Sequence, residues 1–170
     1  MKTPTRIAAI LTAATLAPLG LAPAAQAAQP DREAFTVDSD DVFTGWCTFP
    51  VRLQETGRVI VMTFQGSGDG VRESDIASNY RGTLTNLSTG DTVSLAYPGS
   101  LHITYAADGS HTTRGTGVNL IAPPVPSPAT GALGLWLVRG QLQFQVAPDG
   151  TITASSLTGT QQDLCAELSP

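Results

Sequence analysis

Positively charged residues are scarce in this sequence of 170 residues. Lysine and arginine together number 9, against 14 aspartates and glutamates, and the formal net charge is −5. A nucleic-acid-binding protein needs a basic surface to neutralise phosphates, and attraction to anionic lipids needs clustered cations. We therefore expect neither nucleic acid nor a membrane surface as a partner.

Residues that build metal sites and nucleophilic catalysts are also few. The only two histidines are His102 and His111. A two-residue turn at Asp108-Gly109 would place both on one face of a hairpin, roughly 13 Å apart at about 3.3 Å per residue. Zinc needs three or four converging ligands, and the Gly-x-Ser-x-Gly motif of hydrolases is absent. We expect no metal, no cofactor and no catalytic residue, and a binding protein is favoured over an enzyme.

The first residues are typical of an export signal. Two cations precede the apolar run 7–21, which is followed by small residues at Ala25 and Ala27. The run is about 15 residues long, whereas a helix that spans a bilayer needs about 20. We expect a signal peptide over residues 1–27 and a secreted, extracellular mature protein that has no membrane attachment after cleavage.

Only two cysteines are present, Cys47 and Cys165. Neither has a Cys or His neighbour at the short spacing of a zinc site. An even pair in an oxidising compartment most simply forms a disulfide. This bond would clamp the first and last strands of the domain together. The chain-entropy model assigns about 4–5 kcal/mol to closing a loop of roughly 100 residues.

From Val42 onward, short apolar segments alternate with turn signals about every 8–12 residues, which is typical of an all-β domain. Turns are predicted at Glu55-Thr56-Gly57 and Arg139-Gly140, among others, and only residues 70–79 suit a short helix. We expect residues 42–170 to form a single antiparallel up-and-down barrel of about eight strands, with a two-sheet β-sandwich as the alternative. The predicted strands are 42–46, 50–54, 57–64, 80–87, 91–97, 100–106, 111–121, 132–138, 141–147 and 151–158.

Two segments fall outside this strand pattern. Residues 28–41 are acidic and poor in apolar side chains, so we expect a mobile N-terminal arm there. Residues 122–131 are rich in proline, which cannot donate to a sheet ladder, and we expect a stiff, extended surface loop. Such a loop can recognise a partner or cover the mouth of a barrel.

The side chains that most suggest a binding surface are predicted to lie around Arg139-Gly140. If this pair is a two-residue turn, Trp136 shares the outer face of the hairpin with three amides. An aromatic platform among amides suits a sugar or peptide, and His102 is a further candidate for binding. The amide side chains are those of Gln141, Gln143 and Gln145.

Three stretches resemble small secreted proteins of actinobacteria. They read Gly-Trp-Cys-Thr-Phe-Pro-Val at 45–51, Gly-Ser-Leu-His-Ile-Thr-Tyr at 99–105 and Asp-Leu-Cys-Ala-Glu-Leu at 163–168. The resemblance implies secretion and an all-β domain. It carries over no catalytic residue and no ligand.

Three functions are consistent with these observations. We favour a non-enzymatic extracellular protein that acts as a monomer and binds a small molecule, sugar or peptide. The first alternative is an enzyme resembling the barrel of allene oxide cyclase, which a buried polar group in an apolar cavity would favour. The second is a secreted inhibitor that uses residues 122–131, which a loop projecting into solvent would favour.

Overall fold

A computed structural model describes residues 29–65 and 70–169. The predicted signal peptide lies outside these residues. The described chain forms eight strands and one short terminal helix, α1, at Leu164–Glu167. The strands are β1 Asp31–Phe43, β2 Val51–Gln65, β3 Val71–Asn86, β4 Thr92–Ala96, β5 Gly99–Tyr105, β6 His111–Ile121, β7 Trp136–Val146 and β8 Ile152–Asp163.

All eight strands belong to one antiparallel sheet, which confirms the predicted all-β class. The hydrogen-bonded order is β1-β2-β3-β5-β6-β7-β8, and β4 pairs with β3. Among the described residues, β1 and β8 are not paired, so the sheet is open and the predicted closure into a barrel is corrected. Charged side chains along β1 are a common means of protecting an exposed sheet edge.

The strands β4 and β5 are two parts of one interrupted strand. β4 pairs with Arg81–Thr85 and β5 with Arg72–Ile76, so both lie along the same side of β3. Pro98 separates them, because proline has no N–H to donate. Opposite this break β3 is irregular: Asn79 has a φ of 53°, and the Tyr80 carbonyl accepts a hydrogen bond from the Tyr97 amide at 3.0 Å.

The prediction of a mobile arm over residues 28–41 is wrong. Asp31–Phe43 forms β1, which pairs with β2 along its whole length. Arg52 of β2 binds the Asp40 carboxylate through two nitrogens, with Nε 2.6 Å from Oδ1. Acidic composition does not separate a disordered tail from a charged edge strand, because solvent surrounds the side chains in both.

Two predicted turns lie inside strands, and the predicted helix is a strand. Glu55-Thr56-Gly57 is part of β2, Arg139-Gly140 is part of β7, and residues 71–79 belong to β3. Glycine inside a strand often marks an irregularity or a close approach of another group. A Cβ on Gly57 would lie 2.6 Å from Cδ2 of Tyr80, so here glycine makes room for a ring.

The Pro-rich loop 122–131 folds back on the sheet in turns, which corrects the extended conformation predicted for it. Val125 packs against the apolar side chains of β7. Ser127 is fully buried, and its hydroxyl donates to Oε1 of Gln161 at 2.6 Å. The loop therefore covers part of the sheet.

Apolar side chains form two clusters, and β7 contributes to both. Leu137 belongs to the first cluster, whereas the adjacent Val138 belongs to the second. Successive strand residues point to opposite faces, so this end of β7 is covered on both faces. The buried members of the first cluster are Val51, Leu53, Leu84, Leu95, Tyr97, Leu135, Leu137, Leu164 and Leu168, and those of the second are Ile121, Val138, Leu142 and Phe144.

A row of glycines crosses four strands. Gly99, Gly117, Gly140 and Gly159 are paired in sequence across β5, β6, β7 and β8. Gly140 has a φ of 128°, and a Cβ there would overlap the Thr158 carbonyl oxygen. The backbones thus approach more closely along this row than residues with side chains allow.

The disulfide between Cys47 and Cys165 is present, as predicted, across a sequence separation of 118. Cys47 lies between β1 and β2, and Cys165 lies in α1, directly after β8. The same helix buries Leu164 completely in the first cluster. The bond therefore ties the two ends of the described domain together, next to its main core.

Replacing both cysteines by alanine is expected to lower the free energy of unfolding by about 3–5 kcal/mol, because the unfolded chain regains a long open loop. Urea unfolding of the oxidised wild type and of the Cys47→Ala/Cys165→Ala variant measures this difference. Reduced wild type is the control and should have the same urea midpoint as the variant. Equal midpoints for oxidised wild type and variant would contradict the expectation.

Gly140→Ala is expected to destabilise the protein by on the order of 3 kcal/mol or more, since it combines an unfavourable φ with a backbone clash. Gly131→Ala is the matched control, because Gly131 also has a positive φ, of 74°, but a Cβ there meets nothing within 4 Å. It should cost only about 1–2 kcal/mol. Thermal unfolding measures the loss of stability in both variants. Similar losses would show that the close backbone approach at Gly140 does not contribute to the cost of the substitution.

Candidate functional site

A cavity of about 400 Å³ lies beside the break between β4 and β5. Its floor is formed by apolar residues of three neighbouring strands, Val59 of β2, Ala77 of β3 and Leu101 of β5. We call it the Tyr80 pocket. Its lining residues are Phe43, Trp46, Leu53, Glu55, Val59, Asp75, Ala77, Tyr80, Tyr97, Gly99, Ser100, Leu101, Asn119, Leu120 and Ala122.

Four aromatic rings line the pocket as two pairs. Phe43 and Trp46 are stacked, with ring centroids 3.7 Å apart and planes 7° from parallel. Tyr80 and Tyr97 are tilted, with centroids 5.1 Å apart and planes at 54°. Trp46 immediately precedes Cys47, so the disulfide fixes the segment that carries this ring.

Glu55 is one of two carboxylates in the pocket. Its Oε1 accepts a hydrogen bond from the Tyr97 hydroxyl, and Ser39 Oγ lies 3.5 Å from its Oε2. Tyr97 is only 6% exposed. Burial, followed by the hydrogen bond to Glu55, raises the pKa of Tyr97 well above its usual value. The phenol therefore stays neutral and keeps donating to Glu55.

Asp75 is the second carboxylate, and part of it has no partner. Its Oδ1 is buried and forms no hydrogen bond with any described residue. Desolvation raises the pKa of Asp75, the nearby charge of Glu73 raises it further, and His102 opposes the shift. A buried oxygen without a donor is energetically costly, and the cost is smaller when the carboxyl is neutral.

The predicted grouping of Trp136 with three glutamines is wrong. Because β7 runs unbroken through Arg139-Gly140, Trp136 alternates with the odd-numbered glutamines and faces the other way. Trp136 packs against the second cluster, and its Nε1 is buried without a partner among the described residues. The platform required a turn at Gly140 that the structure does not contain. The three glutamines that lie on the face opposite to Trp136 are Gln141, Gln143 and Gln145.

Other predicted residues do meet, in a polar groove of about 500 Å³. His102, Gln141 and Gln143 line it together with Arg114. Arg114 Nε donates to Oε1 of Gln143 at 3.1 Å. His102, Arg114 and Gln141 are exposed and Gln143 is half-buried, so solvent competes for the polar contacts in the groove. It is a weaker candidate than the Tyr80 pocket.

The two histidines lie on opposite faces of their hairpin, which corrects the prediction that they share one. His102 pairs with Arg114, and His111 pairs with Tyr105, so the register differs by one residue from that of a two-residue turn. The reason is a longer loop, which is closed by the hydrogen bond from the Ala106 amide to the Ser110 carbonyl at 2.8 Å. His102 Nδ1 instead lies 3.0 Å from Ser74 Oγ.

Among the described residues, no three His, Cys, Asp or Glu side chains are grouped so as to hold a metal ion. No helix in this part of the chain is long and apolar enough to cross a membrane. Comparisons of the chain with protein-family models, with curated proteins and with solved structures found no match. The interpretation of the site therefore depends on its geometry.

Asp75→Asn is expected to raise the melting temperature near pH 7, because asparagine has no charge to desolvate. The folded-state pKa of Asp75 lies above the ordinary value of 3.8. The folded wild type therefore loses stability as the pH rises through the window between these two values. The advantage of the variant should shrink as the pH falls through this window and the wild-type carboxyl becomes neutral.

Thermal unfolding from pH 3 to pH 8 tests this expectation. Asp41→Asn is the control, because it makes the same change on the exposed strand β1. The expectation would be contradicted if the difference in melting temperature between Asp75→Asn and wild type did not change with pH. A variant that melts below wild type at pH 7 would contradict it as well.

Proposed function

We propose that this chain is a secreted protein that binds a small, largely apolar molecule in the Tyr80 pocket. The observation that carries the proposal is a concave, mostly apolar pocket that is lined by four aromatic side chains and two carboxylates. Small-molecule sites are typically clefts of about 300–1,000 Å³ with mostly apolar walls and a few polar groups that fix orientation. The pocket of about 400 Å³ meets each of these criteria.

The walls of the pocket are arranged for binding. Tyr97 and Glu55 satisfy each other through one hydrogen bond, so the tyrosine ring is held in place without a ligand. The stacked pair of Phe43 and Trp46 is partly buried against the first cluster. A site whose side chains are already ordered loses little conformational entropy when a ligand enters.

Secretion is part of the proposal. A structural disulfide persists in oxidising compartments outside the cytosol, and the bond between Cys47 and Cys165 supports such a location. The amino-terminal charge and apolar run that predict a signal peptide support it further. We propose that the mature protein acts as an extracellular monomer.

One observation favours a second function, an enzyme that uses the same pocket. Asp75 is a carboxyl group of raised pKa within an apolar cavity, and such groups serve as general acids or bases. In that case Asp75 would exchange a proton with the bound molecule. Chemical conversion of a bound compound would favour the enzyme over the binding protein. The third hypothesis, an inhibitor that uses loop 122–131, loses its support because the loop packs against the sheet.

Ala77→Trp is expected to abolish binding of small apolar compounds, because the larger ring fills the floor of the pocket. Native mass spectrometry of wild-type protein from its own culture medium should detect a bound small molecule that the variant lacks. Ala154→Trp is the matched control, because it places the same ring on an exposed position of β8. Retention of the molecule by Ala77→Trp, or its absence from wild type together with failure to bind any added apolar probe, would refute the pocket as a binding site.

A further inference from the structure

The two faces of the sheet differ in charge at the end where β1 begins. Residues that pair directly across antiparallel strands share a face. One such row crosses seven strands and contains two arginines, one histidine and no carboxylate. The next row on the same face adds Arg72. The members of the first row are Arg32, Met62, Ser74, His102, Arg114, Gln143 and Ser156.

The carboxylates at this end of the sheet lie on the other face. Two rows that alternate with the basic rows contain four carboxylates and no cation. Successive residues of a strand point to opposite faces, so the sheet itself separates the acidic groups from the basic ones. One face is therefore locally basic although the chain has a net charge of −5. The four carboxylates are those of Asp31, Glu33, Glu73 and Asp75.

The arginines of the basic face have no ionic partner in the part of the chain that the structure describes. The one salt bridge found there joins Arg52 to Asp40, near the far end of β1. Arg114 is exposed, and its Nε donates to the neutral side chain of Gln143 at 3.1 Å. The positive charge of Arg114 is therefore open to an anion from outside.

The basic groups are spread across the sheet rather than gathered at one point. Arg32 lies on β1 and Arg114 lies on β6, four steps away in the order β1-β2-β3-β5-β6. Neighbouring strands are about 4.8 Å apart, so roughly 19 Å of sheet separates the backbones that carry these two arginines. Arg72 on β3 and His102 on β5 lie between them. A ligand that contacts the whole set must be an extended chain.

Hydroxyl and amide side chains surround the basic groups. The groove of about 500 Å³ that His102 and Arg114 line contains no carboxylate among its described lining residues. Thr116, Gln141 and Thr158 line it as well. Hydroxyls and amides both donate and accept hydrogen bonds, as the hydroxyl groups of sugars do.

We propose that this face binds an acidic polysaccharide, a chain of sugars that carries carboxylates. We call it the Arg114 face, and it consists of Arg32, Arg72, His102, Arg114 and the polar side chains around them. Guanidinium groups bind carboxylates through charge-assisted hydrogen bonds. Each exposed contact is weak because solvent competes, but several contacts along one chain reinforce each other.

The same face is less suited to nucleic acid. Single strands bind to aromatic rings on which their bases stack, and Phe64 is the one aromatic ring in the two basic rows. The Arg114 face is also independent of the Tyr80 pocket. Leu101 and Asp75, which line that pocket, pair with each other on the opposite face of the sheet.

A matched pair of polymers tests the proposal. A long oligogalacturonate carries a carboxylate on each sugar, and its methyl ester has the same backbone without the charge. Calorimetry with the wild-type protein should show that the acid binds about tenfold or more tightly than the ester. Added salt should weaken binding of the acid and leave the ester unaffected. Digalacturonate, which reaches only part of the face, should bind more weakly than the long acid.

Substitutions assign the binding to the arginines. Arg114→Gln should weaken binding of the long acid about fivefold to tenfold, because a charge-assisted hydrogen bond is lost. Arg32→Gln/Arg72→Gln/Arg114→Gln should reduce the affinity to that of the ester. Arg81→Gln is the matched control, because Arg81 is equally exposed but shares a groove with Asp38 at the other end of β3. It should leave the affinity within about twofold. Melting temperatures verify that each variant is folded.

Several outcomes would overturn the proposal. Equal affinity for acid and ester, or unchanged affinity in the triple variant, would remove the role of the arginines. Tighter binding to single-stranded DNA or to phosphatidylserine vesicles than to the long acid would assign the face to another polyanion. Ala77→Trp fills the Tyr80 pocket and should leave binding of the long acid intact. Loss of that binding in Ala77→Trp would place the sugar in the Tyr80 pocket instead.

Discussion

Four glycines stand side by side on neighbouring strands, and the arrangement of the sheet depends on their lack of side chains. Along this row the backbones of β5 to β8 come so close that a Cβ on Gly140 or Gly159 would overlap a carbonyl oxygen of the next strand. On one side of the row, β7 is covered on both faces, by Leu137 in the first cluster and Val138 in the second. On the other side, exposed or half-buried glutamines alternate with buried Leu142 and Phe144.

The Tyr80 pocket lies where this row begins, because Gly99 is both its first member and part of the pocket wall. Two local features then place the functional groups. The interruption at Pro98 and the irregularity at Asn79 bring the rings of Tyr80 and Tyr97 together. The disulfide holds the segment that contains Trp46. The carboxylates come from ordinary strand positions, which explains why no short motif contains them.

Several features of the fold could be predicted from the sequence because they depend on local chemistry. Alternation of apolar residues indicated an all-β chain, and two cysteines indicated one disulfide. The placement of Trp136 could not be predicted, since one glycine decided whether β7 turned or continued. Only pairing with β6 and β8 settles that choice. The pocket was missed for a related reason: Asp75 lies in a segment that suited a short helix, and Glu55 lies in a predicted turn. That both line one pocket becomes visible only when the register of β2 and β3 is known.

The connectivity of the sheet has a consequence for how the chain folds. Every hydrogen-bonded strand pair joins strands that are adjacent in sequence or separated only by the short β4. Such a meander can be assembled one hairpin at a time, each closing on its predecessor, and local pairing of this kind favours rapid folding. The disulfide is the exception, because its two cysteines are 118 positions apart in the sequence. In the complete sheet, α1 brings Cys165 against the segment between β1 and β2, so the native fold itself holds the two sulfur atoms at bonding distance. With only one other cysteine in the chain, Cys47 has no alternative intramolecular partner.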